Sequence, residues 1–399
     1  MKYLSFATLA LISNVRAGKC PFGFDEPAPA TAKPIELAQR HIPEVLTVDF
    51  SKHEHQWPKD LFSCSNGNKF ETPSDFTYED YDMISDALIR DYETQFSFDP
   101  LVEARYAACI VRYTGHDFMD FDIADDGSFM GGNDGCMDMF DPAQKGVEKC
   151  LRSFKILELY ERVCSRVSLA DFGVIIGNVI QGRLALDYDP NDKISDKTLL
   201  GRFRNTFRFG RRTESNCEHS AGKLPNPGRD CTGPEGSRSV SDVFINRLYH
   251  ELPSDEAWEC AAAILGSHTF GGSNAKNSGI DGLWSSPTRQ SKFDNSYHDA
   301  IIKHGWAPEE VVINEAGDKR QQWMRVDAGA ANDDDILPQF MLNTDMCLMY
   351  DIKEVKEGGD LECCLYTEPW YYAKNMVVEA CGTVFRGSDN FVPTKDIED

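Results

Sequence analysis

Apolar residues recur at helical spacing through much of the chain and alternate only in short, scattered runs. "YEDYDMISDALIRDYET" (Tyr78 to Thr94) has the helical period, and "DPLVEARYAACIVRYTGHDF" reads as the next helix. "GVEKCLRSFKILELYERVC" reads as one amphipathic helix. "SLADFGVIIGNVIQGRLAL" is a mostly apolar helix that starts at Ser168, with Asp171 three residues on, close to a capping box. "SVSDVFINRLYHEL" predicts a helix with Ser241 as its cap. "SDEAWECAAAILGSHTFGG" predicts another, capped at Ser254 and ended by Gly271 and Gly272. Between these lie two irregular stretches. Residues 119–142 hold seven aspartates and read as a loop, and residues 201–238, rich in Arg, Gly, Pro and Ser, read as a long excursion. The predicted class is mainly α, with about ten helices and a poor β signal.

The first residues have another character. Lys2, the apolar run Tyr3 to Ile12 and the small residues Val15 and Ala17 predict a secretory signal peptide over residues 1–17. Residues 18–75 read as an irregular extension, and residues 76–399 as the folded domain. With 399 residues, 41% of them hydrophobic, the chain can bury a sizeable core. No run reaches the roughly 18 apolar residues that a membrane helix needs. The net charge of -24 becomes -26 once Lys2 and Arg16 leave with the signal. Such a field disfavours nucleic acid and anionic membrane as partners and favours cations such as calcium. All thirteen cysteines follow the cleavage point, so a secreted, extracellular protein with disulfides is expected, and the odd count leaves at least one cysteine over. No Cys/His cluster has zinc spacing. No acceptor for N-glycosylation occurs.

Three features carry candidate chemistry. In "RYTGHDFMDF", Arg112 and His116 are four residues apart and share a helix face. His268 closes an apolar helix ahead of Thr269 and two glycines. Asp345 stands in the apolar setting of "NTDMCL". Each alone reads equally as surface or core. Together, two histidines, one beside an arginine and one at a Gly-rich terminus, fit a haem pocket as one option among several: iron needs one axial imidazole and an open position opposite, and a carboxylate on the far ring nitrogen would raise the imidazole's basicity.

Seven segments, in order from about residue 100 to 351, resemble the plant-type haem peroxidase superfamily. "VRYTGHD" resembles its distal-helix motif, and "LADFGVIIGNV" its central helix with an Ala-Asp pair. "FRFGRR" and "GKLPNP" resemble its Gly-Arg and Gly-Arg-Leu-Pro motifs, and "LGSHTFGG" its proximal G-x-H-T-x-G. "KNSGIDGLWSSP" with "FDNSY", and "LNTDMCL", resemble the intracellular-type branch of cytochrome c and ascorbate peroxidases. The resemblance implies a two-lobed, mainly α fold with haem b held between a distal lobe (about 76–200) and a proximal lobe (about 201–399). It implies His268 as iron ligand, Asp345 as its hydrogen-bond acceptor, His116 as acid–base catalyst and Arg112 as stabiliser of the leaving oxygen. Gln144 falls where the family usually has an Asn bonded to the distal histidine. Trp284 matches the tryptophan lying against the proximal histidine. Asp117, Gly132 and Asp134 resemble ligands of a distal calcium, and Thr269, Ser285 and Asp294 part of a proximal cation site. The implied activity is reduction of hydrogen peroxide to water, with one-electron oxidation of a small-molecule or polymer donor.

The chain also departs from that pattern. Gly115 replaces a distal aromatic, which predicts an accessible haem unless another side chain fills the gap. Cys136 replaces a calcium-ligating Ser. Asn277 stands where ascorbate peroxidases bind substrate through Arg. These departures leave a rival expectation, a haem- or calcium-binding extracellular protein on the same scaffold without turnover.

Overall fold

A computed structural model describes residues 61–124, 126–228, 231–273, 282–286, 288–312, 319–325, 339–348, 350–352, 365–366 and 391–393. The expected signal peptide, most of the extension and Asn277 lie outside the described residues. The described chain is mainly helical.

Helix α1 (Tyr78–Asp91) buries Tyr81, Ile84, Leu88 and Ile89 along one stripe, and a capping box between Thr77 and Asp80 starts it. Helix α2 (Pro100–Phe118) starts where Asp99 accepts from the amides of Leu101 and Val102, at 2.8 and 3.1 Å. Pro100 sits in its first turn, where a missing N–H costs nothing. Helices α3 (Val147–Ser153) and α4 (Ile156–Val163) replace the single helix expected there. Lys155 adopts φ 57°, a left-handed conformation that breaks the hydrogen-bond ladder between them. Helix α5 (Leu169–Leu184) is buried on every side except at Arg183, which is why its sequence is mostly apolar. Ser168 caps it as expected, accepting from Asp171 N at 3.1 Å. Gly177 lets α5 lie against α2, since a β-carbon there would come within 2.8 Å of Thr114 Oγ1. Thr114 in turn donates to Gly173 O at 2.9 Å. Helix α6 (Leu199–Thr206) packs across the C-terminal end of α5, inside the stretch expected to be irregular.

Two caps differ from expectation. Ser241 is the first residue of a π-helical segment, Ser241–Leu248, and the hydroxyl that accepts an amide there is that of Ser239, from Asp242 N at 3.1 Å. Ser254 is the first residue of helix α7 (Ser254–Leu265), whose cap is Pro253. Helix α7 also stops earlier than Gly271. A 3₁₀ turn, Gly266–Thr269, follows and carries His268. Helices α8 (Ser296–Lys303) and α9 (Asn343–Met346) follow among the described residues.

Short antiparallel pairs join β1 (Asp122–Ile123) to β2 (Phe129–Met130) and β3 (Gly272–Ser273) to β4 (Gly282–Leu283). A four-stranded antiparallel sheet, unexpected from the sequence, runs in the order β7 (Phe340–Leu342), β6 (Lys319–Arg325), β5 (Gly305–Val312), β8 (Leu365–Tyr366). Trp306 faces Arg325 and Trp323 faces Met341 across it, and both tryptophans are fully buried.

Buried apolar side chains form two clusters. One gathers α1 to α5. The other gathers residues of the 241–248 segment, α7, α8, β6, β7 and α9. Helix α2 serves both, with Tyr113 in the first and Phe118 in the second, so its last turns lie where the clusters meet. That turn carries Arg112 and His116.

Disulfides tie the chain over long distances. Cys64–Cys164, Cys109–Cys150, Cys136–Cys217 and Cys231–Cys347 close separations of 100, 41, 81 and 116 residues, and Cys260 is also disulfide-bonded. Among the described residues, no helix is long and apolar enough to cross a membrane.

Candidate active site

The 3₁₀ turn after α7 presents His268 to α9. Its Nδ1 lies 2.8 Å from Asp345 Oδ1. Asp345 is fully buried and accepts from Tyr297 Oη at 2.7 Å and from Leu342 N at 2.7 Å. A carboxylate only accepts, so the imidazole proton sits on Nδ1 and the Nε2 lone pair is free. Trp284 stacks on the His268 ring at 4.3 Å with planes 4° apart. Phe340 backs Trp284 at 4.2 Å, and Tyr297 meets His268 edge-on at 5.9 Å. The ring is therefore fixed on two sides, while 31% of the His268 side chain stays accessible.

The distal residues are held by one short turn. Pro142–Gln144 is a 3₁₀ turn capped by Asp141, which accepts from Ala143 N at 2.8 Å. Ala143 O accepts from Arg112 Nη2 at 2.9 Å, and buried Gln144 places Oε1 2.8 Å from His116 Nδ1. The amide oxygen accepts, so His116 also carries its proton on Nδ1 and leaves Nε2 unprotonated. Burial, and then the neighbouring Arg112 charge, push the His116 pKa down to about 3, against the opposing bond to Gln144. His268 lies close enough to add a smaller effect of the same sign. Burial also lowers the Arg112 pKa to about 10, which leaves it charged at neutral pH. Gln144 thus does what an Asn would do at this place. The space beside Gly115 is bordered by Met119 and Phe118, which lie 3.9 and 4.0 Å from where a β-carbon would stand.

The expected cation ligands come together only in part. On the proximal side, Thr269 Oγ1 lies 3.4 Å from Asp294 Oδ1 and 3.2 Å from Ser296 Oγ, while Ser285 donates to Thr269 O at 2.9 Å. Arg289 already pairs with Asp294 at 3.1 Å and supplies positive charge there. On the distal side, fully buried Asp117 spends one oxygen on Gly135 N and the other on Cys136 N, each at 3.1 Å. Gly132 N donates to Asp120 at 2.7 Å. Asp117 lies close enough to Asp134 for their charges to repel, and a further group, Asp120, Asp134 and His219, converges on one point. Cys136 is in a disulfide and offers no oxygen. Calcium takes six to eight oxygen ligands, and this donor set, one of whose members is an imidazole, does not fit it. Sequence reading missed Asp120 and His219.

Compared with known proteins, the chain matches no family model and no curated protein.

The residues do fit a haem. Two imidazoles are each anchored at Nδ1, and each presents an Nε2 that makes no hydrogen bond among the described residues. The two rings lie close enough for His268 to act electrostatically on His116. Asparagine at position 345 would keep the shape but lose the charge that makes His268 basic. Asp345→Asn is expected to weaken haem retention or peroxide reactivity by about 10- to 100-fold, read by haem transfer to apomyoglobin and by stopped-flow absorbance.

Proposed function

We propose that this chain is a secreted haem peroxidase, which reduces hydrogen peroxide while oxidising a small-molecule or polymer donor. The observation that carries the reading is the matched anchoring of two histidines. Asp345 holds one through Nδ1, the 142–144 turn holds the other, and Arg112 stands one helical turn from His116. His268 Nε2 would hold haem b, and the haem supplies the iron at which the peroxide O–O bond is cleaved.

The protein residues manage protons and charge. Neutral His116 takes the proton from the nearer peroxide oxygen at Nε2 and returns it to the farther one, which leaves as water. Arg112 stabilises negative charge on that leaving oxygen. Asp345 raises the electron-donating power of His268. Trp284, stacked flat on His268, would hold an oxidising equivalent beside it. In a full turnover, one peroxide takes up two electrons and two protons and becomes two waters, while two donor molecules each lose one electron. The bond from Gln144 to His116 supports turnover over the non-catalytic reading, because it supplies the orienting acceptor that catalysis needs. The disulfides support an extracellular setting.

The test is spectroscopic. Purified protein loaded with haem should show a high-spin ferric Soret band that shifts within milliseconds of adding stoichiometric peroxide. A Soret band that never changes would leave a haem-binding protein, and failure to take up haem would refute the reading.

Gly115 sets access. Gly115→Phe is expected to press on Met119 and narrow the distal side. Carbon monoxide association with the ferrous holoprotein should slow about tenfold, the scale of a barrier change near 1.4 kcal/mol. An unchanged rate would mean that Met119 and Phe118 already close the wall.

A further inference from the structure

We propose that Asp120, Asp134 and His219 form a site for a divalent ion of the zinc class rather than for calcium. One carboxylate oxygen of each aspartate and one ring nitrogen of His219 lie within 4.8 Å of one another. Two observations beyond the clustering point to a ligand. Asp120 is fully buried, and while its Oδ1 accepts from Gly132 N, its Oδ2 is buried with no hydrogen bond. A buried carboxylate oxygen left unpaired is costly, and a metal ion removes the cost. His219 shows the second. Its Nδ1 lies 3.0 Å from Asn216 O, a carbonyl that can only accept, so Nδ1 carries the proton. Nε2 is buried and faces Asp134 Oδ2 at 3.4 Å, where the ring pairs with that carboxylate when no ion lies between them. A ligating imidazole is oriented in this way, by a carbonyl on its other nitrogen.

Charge favours the same conclusion. Asp117 and Asp120 are fully buried and Asp134 is mostly so, which gathers three carboxyls in one place. The nearby Arg247 gives its guanidinium to Phe121 O at 3.1 Å and Lys223 O at 2.5 Å. A divalent ion would offset the surplus negative charge. The donor set then selects the ion. Imidazole with carboxylates suits zinc and its neighbours, while calcium and magnesium take oxygen alone. Two carboxylates and one imidazole make three donors, which leaves a fourth position for water.

The site joins distant parts of the chain. Asp120 follows α2 directly, four residues past His116, and His219 sits on the 3₁₀ turn Glu218–Ser220. The Cys136–Cys217 disulfide brings that turn to Asp134. The ion would therefore brace the end of the helix that carries the distal residues. This inference does not rest on haem or on turnover.

The test uses the whole purified protein, stripped with chelator and dialysed. Calorimetric titration with zinc chloride should show one saturable ion per chain, bound more tightly than calcium, and zinc at about 100 times its Kd should raise Tm by roughly 5–10 °C. Cobalt in place of zinc should give visible bands that include a nitrogen ligand. His219→Gln, a partly exposed and conservative change, should abolish the stoichiometric phase, and Asp120→Asn should do the same. Tighter calcium than zinc, no saturable binding, or binding unaltered in both variants would each overturn the proposal. If Asp120→Asn fails to fold, the wild-type titration and His219→Gln still decide it.

Discussion

His116→Ala is expected to slow the reaction of the haem-loaded protein with hydrogen peroxide by on the order of 10³-fold, the middle of the range that one positioned acid–base group contributes. Haem binding should be unchanged, because the proposed iron ligand is His268, held through Asp345 on another element. The loss should therefore appear in the bimolecular rate with peroxide and leave the resting Soret band in place. Gln144→Leu should cost less, since it removes the acceptor that fixes the tautomer but keeps the base. The pH profile separates this from a structural defect. The working form of His116 is neutral, and burial with Arg112 holds its pKa at about 3. The wild-type rate should stay level from pH 7 to about 4 and fall below that as His116 takes up a proton. The linked stability has the same sign. An unfolded histidine protonates near 6.5, the folded one near 3. This group therefore contributes nothing adverse above 6.5, and stability is lost as pH falls from there through the folded value. Stopped-flow absorbance of wild type and variant across pH gives the answer. A variant that reacts at the wild-type rate would remove His116 from the mechanism.

What was legible in the sequence was local. The periods of α1, α2 and α5 are uninterrupted over three or more turns, so their helices and the shared face of Arg112 and His116 could be read directly. The pairing of His268 with Asp345 crosses 77 residues, and only the resemblance to a family suggested it. Where the chain is decided by tertiary contact, the pattern misled. Apolar periodicity runs straight through Lys155, although the backbone turns there. The β5–β6 ladder carries Pro308, Glu309, Gln321 and Gln322, which is a poor strand composition, and buried Trp306 and Trp323 are its apolar anchors. His219 had no signal of its own. It reaches Asp134 through the Cys136–Cys217 bridge, and a chain with thirteen cysteines does not disclose its pairing. Asp120 did have a weak one, three residues after Asp117 at the end of a helix.

Asp171→Ala is expected to destabilise the protein by about 3–5 kcal/mol, the range found when one partner of a buried ion pair is removed. Asp171 is fully buried at the start of α5, and the Arg211 side chain that pairs with it is only 4% exposed. The carboxylate also accepts from Thr72 Oγ1 at 2.5 Å and Gly210 N at 2.7 Å. It thereby fastens the 61–75 and 207–213 segments to the central helix. Without it, Arg211 keeps its charge in a place that burial makes unfavourable, with Nε and Nη2 already lacking partners. Thermal unfolding should show a Tm drop of roughly 10 °C. The pair as such is worth less than its breaking suggests, because bringing both charges out of water cancels much of their attraction. The double variant Asp171→Leu, Arg211→Met should therefore recover most of the lost stability, which a simple packing defect at Asp171 would not allow. Urea unfolding of the single and double variants, with disulfides intact, measures both terms. A single variant within about 1 kcal/mol of wild type would mean that water reaches Arg211 when the carboxylate is gone. A double variant no better than the single would place the loss in the contacts to Thr72 and Gly210 instead of in the stranded charge.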